Sequence, residues 1–559
     1  MKFVLSLLLG LVMLVCGLGA APKQEAVLFT NGTFYLTTDA TAKNLLVVNG
    51  KVAGSDVDAT KYPQAKVIDL KGAYVYPGFH DSHCHLLETG MAFSGANLFG
   101  CTDAEQIAQK LAPVVAKVPK GQPVIGVGFH LHNYDAWSLK DLAVIDKAAG
   151  NHPLILVDNL GHNCMVNSLV LKKYNIKADS KVGPAGTIVS ENGKPTGMLR
   201  ESAMLLPGVP MMKMFSDQMI SDGFMKLAKT WNSFGYTHIT DLMGCPMGQL
   251  MRPQIFKKLE KQGKLPLRVD YDYTMFSLKE MPNALPYRGK DTDLVRFAGF
   301  KTFIDGAVGA GQAWTSWKNL QGNHGEYYLA GDDKTFGPEY NLNRIAAKAE
   351  DLKLCIQYHV QGDAGIETIL KALEKIKAKK GKLEVTHTLI HMAFPTPEQL
   401  KRIKALGDKV VITTQPGLWE AEADMGNYYG PHTKYAYPLK SMMASGISTG
   451  FSTDFSVSPI AIAPPLAVVG IAADPEKYGF EADQALTPKD IVKGFTIGSA
   501  LTVPKHDTGT LEKGKWADMV VTGEDIITTK PDQAAKIKIL STWVGGKKVY
   551  DIQEAEKTK

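Results

Sequence analysis

The chain has 559 residues but is poor in cysteine, and neither sign of charge dominates its composition. Its 62 lysines and arginines exceed its 56 acidic residues by only six, so the charge balance does not favour a nucleic-acid partner. Six cysteines occur. Those after residue 20 are scattered and form no Cys-X-X-Cys pair, which argues against a disulfide framework and leaves a single bridge open. The length exceeds that of one small domain.

One apolar run stands at the beginning of the chain. Residues 3–15 are almost entirely apolar, follow Lys2 and precede several small residues. The run is too short for a membrane span and is typical of a secretory signal peptide that is cleaved near Ala20. Residues 13–15, before Cys16, lack the small residue of a lipoprotein cleavage site. We therefore expect a soluble periplasmic or secreted protein with no membrane attachment after cleavage.

The most informative stretch is Tyr74–Leu86, with the sequence YVYPGFHDSHCHL. It reads as a buried strand, a bend at Pro77-Gly78, and two histidines, His83 and His85, separated by one residue. In an extended segment the side chains at i and i+2 leave on the same face, so these two imidazoles can share one metal ion. Because a His-X-His pair alone is weak evidence, the rest of the chain must supply further ligands.

The run PGFHDSHCHL resembles the first-strand signature PGFIDxHxH of the metal-dependent amidohydrolase superfamily, with His80 in place of an apolar residue. This resemblance implies an α/β fold with a TIM-type (β/α)8 barrel, whose metal ions lie at the C-terminal ends of the strands. It also implies an ordered series of ligands: His-X-His, a lysine or glutamate, two histidines and finally an aspartate.

Short β-type runs separated by turn signals occupy both ends of the chain. Val47–Val52 is typical of a hairpin, since Asn49-Gly50 suits a type I′ turn. The segment GTLEKGKWADMVV near the C-terminus resembles GxLxxGKxADLVV of the superfamily. We therefore expect one small β-sandwich domain made from both chain ends. The predicted boundaries are 1–20 for the signal peptide, 21–72 and 501–559 for the β-sandwich, and 73–500 for the barrel.

The region of about 100–235 holds more strand candidates than the barrel has places before residue 301, which predicts an inserted α/β lobe. Val124–Gly128 and Leu154–Asp158 are two of these candidates. Tyr236–Asp241 and Arg268–Thr274 also read as strands.

Two segments of this region, LVDNLGHNCMVNS and GKPTGMLRESA, resemble the YtcJ-like branch of the superfamily. His162 and Glu201 fall on its motifs. His162 is a candidate for polarising or contacting a substrate carbonyl, and a structural histidine is the alternative. His130 and His132 form a second His-X-His, which matches no ligand of the family.

Lys301 lies in an apolar strand within GFKTFIDG. A buried ammonium without a partner is costly, so such a lysine pairs, has a lowered pKa or is modified. The resemblance to the FKxF strand of the family implies a carbamylated Lys301 that bridges two metal ions. A snorkelling or ion-paired lysine is the alternative, and Glu201 is the second candidate for the bridging carboxylate.

Three later strands end in ligand-type residues. LCIQYHVQGD resembles the family run vxxHaxGD and identifies His359. LEVTHTLIH offers His387 and His391, and the spacing to the next helix favours His391, although Ile390 stands where the family has glutamate. ISTGFSTD resembles the GSDxP run and ends in Asp454. The expected metal ligands are His83, His85, Lys301, Glu201, His359, His391 and Asp454.

This set predicts an exported metal-dependent hydrolase that cleaves a C–N bond of an amide, formamide or cyclic amide other than a peptide bond. Zn²⁺, as one or two ions, would lower the pKa of bound water to about 7, and Asp454 would act as base and then acid. One alternative is a mononuclear deaminase-like hydrolase that uses His83, His85, His359 and Asp454. Another is a metal-dependent binding protein without catalysis. A small-molecule substrate is the expected partner, and either a monomer or a homo-oligomer agrees with the sequence.

Overall fold

The computed structural model describes residues 25–92, 95–129, 137–158, 163–183, 186–212, 214–242, 252–421, 425–455 and 464–557. The predicted signal peptide lies outside these ranges. Within them, no helix combines the length and the apolarity that crossing a bilayer requires. The cysteines of the described ranges, Cys84, Cys101, Cys164 and Cys355, are free thiols.

The strands in chain order are β1 (Ala26–Thr30), β2 (Thr33–Tyr35), β3 (Thr41–Ala42), β4 (Leu45–Val48), β5 (Lys51–Ser55), β6 (Lys66–Asp69), β7 (Tyr74–Pro77), β8 (Phe79–Cys84), β9 (Ala96–Asn97), β10 (Val124–Phe129), β11 (Leu154–Asp158), β12 (Asn163–Val166), β13 (Thr187–Glu191), β14 (Lys194–Arg200), β15 (Tyr236–Asp241), β16 (Arg268–Thr274), β17 (Val295–Phe303), β18 (Cys355–Val360), β19 (His387–His391), β20 (Val410–Thr414), β21 (Thr449–Phe451), β22 (Met519–Thr522), β23 (Ile539–Val544) and β24 (Lys547–Asp551).

The α-helices are α1 (Leu86–Ala92), α2 (Ala104–Val115), α3 (Leu139–Ala149), α4 (Ser168–Lys173), α5 (Leu205–Met212), α6 (Asp217–Ser233), α7 (Pro253–Lys261), α8 (Met281–Ala284), α9 (Leu342–Leu352), α10 (Asp363–Lys380), α11 (Pro397–Leu406), α12 (Leu418–Ala421), α13 (Gly426–Tyr429), α14 (Leu439–Ala444), α15 (Pro465–Ala472), α16 (Pro488–Lys493), α17 (Pro531–Ala534) and α18 (Ile552–Lys557).

Eight strands form one parallel sheet in the order β8-β15-β16-β17-β18-β19-β20-β21. Nearly all of their residues are buried, as expected for a parallel sheet covered on both faces. The edge strands β8 and β21 meet just beyond their ends, where Asp454 N–H donates to the His83 carbonyl at 2.9 Å and His85 N–H donates to the Phe455 carbonyl at 3.0 Å. The sheet is therefore a nearly closed barrel, and the predicted TIM-type fold is confirmed.

Strands and helices alternate through the second half of the barrel. α10 joins β18 to β19, and α11 joins β19 to β20. The start of α11 is fixed by a capping box, in which Thr396 Oγ1 accepts from Gln399 N–H and Gln399 Oε1 accepts from Thr396 N–H. These crossovers keep the strands parallel, so their carboxyl ends share one face of the barrel.

A second sheet, in the order β13-β14-β12-β11-β10-β9, lies in the chain between β8 and β15. The predicted strands at 124–128 and 154–158 are β10 and β11 of this sheet. It encloses an apolar core of its own with α2 and α3, which includes Leu111, Ile145 and Leu156. The boundaries of the predicted lobe stay a prediction.

Strands from both chain ends pair with each other. In the sheet β24-β23-β22-β7-β2-β3, β7 is parallel to β2 and antiparallel to β22. A further sheet, β5-β4-β1-β6, contains the predicted hairpin, whose Asn49 and Gly50 have φ of 50° and 79° as a type I′ turn requires. The predicted boundaries of a separate β-sandwich domain stay a prediction.

Pro77-Gly78 is where the chain passes from the outer sheet into the barrel, because β7 belongs to the first and β8 to the second. Gly78 is needed there, since a Cβ at this position would lie 2.2 Å from Thr237 Oγ1. The bend sets the direction of β8, which carries the His-X-His pair.

Candidate metal centre

Four of the predicted ligands meet at the carboxyl-terminal end of the barrel. His83 lies near the end of β8 and His85 just after it, His391 ends β19, and Asp454 follows β21. Asp454 Oδ1 lies 3.0 Å from His83 Nε2 and 3.4 Å from His85 Nε2. His391 Nδ1 lies 3.7 Å from Asp454 Oδ2. Three imidazoles therefore surround one buried carboxylate.

The backbone at this end is strained. Glu201, His391 and Asp454 have φ of 51°, 72° and 53°, in the left-handed region that side chains with a Cβ rarely adopt. Such a conformation costs about 1–3 kcal/mol for each residue and persists where the surrounding structure imposes it, often at functional sites. Strain at His391 and Asp454 thus coincides with the ends of the barrel strands, and Glu201 has the same strain just after β14 of the inserted sheet.

Electrostatics favour neutral imidazole beside an ionised carboxylate. Burial, and then the charge of Lys301, lower the pKa of His83 well below its ordinary value. Burial alone would raise the pKa of Asp454, but the facing imidazole of His83 outweighs it and holds that pKa well below its ordinary value. Neutral histidine and ionised aspartate are the forms that bind metal ions.

The geometry of Asp454 fits a shared cation. Its Oδ1 atom is buried and accepts no well-aligned hydrogen bond in the part of the chain that the structure describes, although two ring nitrogens lie within 3.4 Å. His83, His391 and Asp454 each present a ligand atom within 4.8 Å of the others. Imidazole nitrogens and a carboxylate oxygen this close together are the ligand types and the spacing that suit a divalent metal.

His359 and Lys301 extend the cluster into the barrel. The ring centroid of His359 lies 4.5 Å from that of His391 and 5.1 Å from that of Phe303. The Lys301 ammonium lies 4.8 Å from the centroid of the same Phe303 ring. In the β17–β18 register Lys301 is opposite Gln357 and Phe303 is opposite His359. Lys301 therefore lies one layer deeper than His359 on the inside of the barrel.

Glu201 follows β14 of the inserted sheet and is buried. Burial, and then the negative charge of Glu201, raise the pKa of the Tyr328 hydroxyl well above its ordinary value, so the carboxylate faces the loop that follows β17. His162, the second predicted catalytic residue, lies outside the described residues, as do His130 and His132.

The two histidines of β19 have different surroundings. His387 is fully buried and occupied by other partners, with Nδ1 2.9 Å from the Tyr358 hydroxyl and Nε2 3.2 Å from Glu350 Oε1. His391 instead faces Asp454. The geometry thus places His391, and not His387, among the candidate ligands.

Sequence reasoning missed two residues that hold these ligands in place. Asp81 accepts hydrogen bonds from Thr453 N–H at 2.9 Å, from the Thr453 hydroxyl at 2.6 Å and from Trp231 Nε1 at 3.1 Å. Burial raises its pKa to about 6. Gln415 lies 2.9 Å from His391 Nδ1. Asp81 belongs to the first motif and could have been suspected, whereas no local signal marks Gln415.

A second His–Asp cluster lies nearer the amino-terminal end of the barrel. His80 stacks on His238 with ring centroids 3.7 Å apart, and His238 Nε2 lies 2.7 Å from Asp270 Oδ2. Arg296 donates to Asp270 at 2.8 and 3.1 Å and to Asp507 at 2.6 Å. This stacking gives His80, which replaces an apolar residue of the signature, a partner within the barrel.

Comparison with known proteins agrees with this architecture. A family model described as "Amidohydrolase family" matches residues 66–550. The N-substituted formamide deformylase of Arthrobacter pascens is 23% identical over 532 residues, which cover 91% of this chain and 95% of that protein. YtcJ of Bacillus subtilis is 25% identical over 504 residues, which cover 88% and 91%. An uncharacterized metal-dependent hydrolase from Pyrococcus horikoshii has a similar structure, with a TM-score of 0.71 and 23% identity over 91% of this chain and 99% of that one.

Proposed function

Because the chain belongs to the amidohydrolase family and is therefore a metal-dependent hydrolase of carbon–nitrogen bonds, we propose that it cleaves an amide, a formamide or a cyclic amide. The observation that carries this proposal is the convergence of three imidazoles on Asp454 at the carboxyl-terminal end of the barrel. The name of the Arthrobacter relative, an N-substituted formamide deformylase, supports the choice of amide-type substrates.

His83, His85, His359, His391 and Asp454 would hold the metal ion, and Zn²⁺ suits their nitrogen and oxygen ligands. When bound, such an ion supplies a water whose pKa is about 7. Asp454, kept ionised in its buried position, accepts the proton of the attacking water and returns it to the leaving nitrogen.

A second metal ion is proposed to rest on Lys301. In its favour, Lys301 is buried, and its charge acts on His83, so a carbamate there would stand next to the first ligands. Glu201 is the second candidate for the bridging carboxylate. In the alternative, a mononuclear deaminase-like site, Lys301 is an unmodified structural lysine.

The remaining proposals concern the setting of the enzyme. The apolar run at residues 3–15 supports export to the periplasm or the medium. A small molecule is the proposed substrate, with His162 as the residue that contacts its carbonyl oxygen, and a homo-oligomer agrees with all of these features.

Metal content and intact mass of the purified protein test the proposal first. We expect bound zinc, and a carbamate on Lys301 if two ions are present. One ion with an unmodified lysine would support the mononuclear alternative. Absence of bound metal, and of binding when zinc is added, would overturn the ligand assignment.

Substrate turnover tests the reaction itself. We expect zinc-dependent release of amine or ring-opened product from a panel of N-substituted formamides, N-acyl amines and cyclic amides. Asp454→Asn should lower kcat by about 10²–10⁴-fold with metal still bound. Full activity of this variant would remove Asp454 from the role of base, and turnover of amino-purines or amino-pyrimidines alone would favour the deaminase reading.

A further inference from the structure

Gln415 is the residue immediately after β20 and is buried. Its Oε1 atom lies 2.9 Å from His391 Nδ1, and its Nε2 atom donates to Ser452 Oγ at 2.9 Å. His391 Nδ1 is therefore nearer to Gln415 than to the Asp454 carboxylate, which lies 3.7 Å away. The Gln415 amide therefore links His391 to Ser452, which lies two residues before Asp454.

The direction of the amide follows from its other partner. The Ser452 hydroxyl donates to the Thr414 carbonyl, so its oxygen remains to accept a hydrogen bond from Gln415 Nε2. This places Oε1, which can only accept, against His391. The proton of the neutral imidazole is then on Nδ1, and Nε2 carries the lone pair.

We propose that Gln415 is a positioning residue that fixes the tautomer and the ring plane of His391, so that His391 binds the metal through Nε2. The Nδ1 atom, 3.7 Å from the Asp454 carboxylate, then faces Asp454 without being the metal-binding atom. The inference rests on the proposed metal-dependent function. Metal-binding histidines generally donate their second ring N–H to an acceptor, and loss of that acceptor costs 10–100-fold in metal affinity. Ser452 holds the amide in turn.

Metal affinity of the full-length protein, measured by competition between zinc and a chelator, tests this role. Gln415→Leu has a similar volume but no acceptor, and we expect its zinc affinity to fall about 10–100-fold. Gln415→Glu keeps an oxygen against His391 and should retain affinity within a few-fold of the parent. Ser452→Ala removes only the anchor of the amide and should have an intermediate effect.

Gln399→Leu is the matched control, because Gln399 is also a buried glutamine with hydrogen bonds, to Thr396 and to the Asp363 carbonyl. We expect it to lower thermal stability without changing zinc affinity. Circular dichroism and thermal unfolding of the metal-free variants separate misfolding from loss of a ligand.

The outcomes distinguish this inference from the proposed function. If the parent protein binds no zinc, the proposed function fails and the role of Gln415 fails with it. If the parent binds zinc and Gln415→Leu binds it equally well or more tightly, His391 does not need Nδ1–H to be held, and only the inference is overturned. An affinity loss in Gln415→Leu that Gln415→Glu does not recover would also contradict it.

Discussion

The two ends of the barrel each carry a His–Asp cluster, and the clusters differ in what faces the carboxylate. Toward the amino-terminal end, Asp270 receives the guanidinium of Arg296 at 2.8 and 3.1 Å and the imidazole of His238 at 2.7 Å. At the carboxyl-terminal end, the contacts of Asp454 are with His83, His85 and His391. Asp270 thus has the guanidinium of Arg296 beside it. Asp454 is surrounded by three imidazoles, and burial lowers the pKa of one of them, His83.

The difference separates a structural cluster from a metal-binding one. Burial alone would raise the pKa of Asp270, but Arg296 outweighs it and holds that pKa far below its ordinary value. A metal ion there would meet the positive charge of Arg296, whose Nη2 lies 3.3 Å from His238 Nε2. Both clusters place three ligand-type residues close together, so proximity alone does not identify a metal site. The direct hydrogen bonds from the Arg296 guanidinium to Asp270 identify the cluster toward the amino-terminal end as an ion pair.

The largest expected effect on stability is that of Asp270→Asn. It leaves Arg296 with a buried, partly unpaired charge, and breaking such a pair costs about 3–5 kcal/mol of unfolding free energy. Denaturant unfolding of the metal-free protein measures the loss. Asp217→Asn is the matched control, because Asp217 is half exposed in its pair with Arg252 and should cost at most about 1 kcal/mol. Equal effects of the two substitutions would contradict the structural role of the Asp270 cluster.

Removal of the metal should have the next largest effect, and only through the Asp454 cluster. With zinc at 100 times its Kd, we expect the parent protein to be more stable by about 2.7 kcal/mol than after chelation. His83→Ala should lose this increment, while Asp270→Asn should keep it in full despite its lower starting stability. Differential scanning calorimetry with and without chelator gives both values. A lost increment in Asp270→Asn would mean that the two clusters are coupled.

His80→Leu should have a smaller, pH-dependent effect. Burial, and then the neighbouring His238, lower the pKa of His80 well below its ordinary value, while Asp270 and Arg296 act on it with opposite signs. The unfolded chain takes up a proton at this position below about pH 6.5 and the folded chain does not, so stability falls as the pH falls.

Removing His80 should therefore reduce the slope of unfolding free energy below that pH by up to about 1.4 kcal/mol per pH unit. At pH 8, where no proton is exchanged, we expect the loss of the hydrogen bond with Thr240 and of the stacking on His238, each about 1 kcal/mol. Unfolding curves of parent and variant from pH 8 to pH 5 test this. Parallel pH profiles would show that His80 titrates alike in the folded and unfolded chains.

Local signals predicted several barrel strands well. β15 and β16 agree to the residue with the predicted segments 236–241 and 268–274. Both contain β-branched and aromatic residues, which are typical of strands. Local signals also indicated His359 and Asp454, which each follow an apolar run.

Contacts between distant residues were not predictable. β17 begins at Val295, before the predicted run that starts at Gly299. The sequence did not predict this earlier start, because Arg296, the second residue of the strand, is of a type usually found at the surface. It is buried only because Asp507, 211 positions away, and Asp270 neutralise it. The role of Gln415 likewise cannot be recognised without its contact with His391, 24 positions earlier. A buried polar residue is defined by its partner, and single-sequence patterns do not identify partners.

Because β7 pairs with β22, the sheet that contains β7 cannot be completed before the C-terminal strands are present. The Tyr76 hydroxyl donates to Asp525, 449 positions later, and β7 leads through one residue into the strand that bears His83. During synthesis this edge of β7 has no partner until almost the whole protein has been made. We therefore expect the metal centre to assemble late, and C-terminal truncations to weaken it through strand pairing although they remove no ligand.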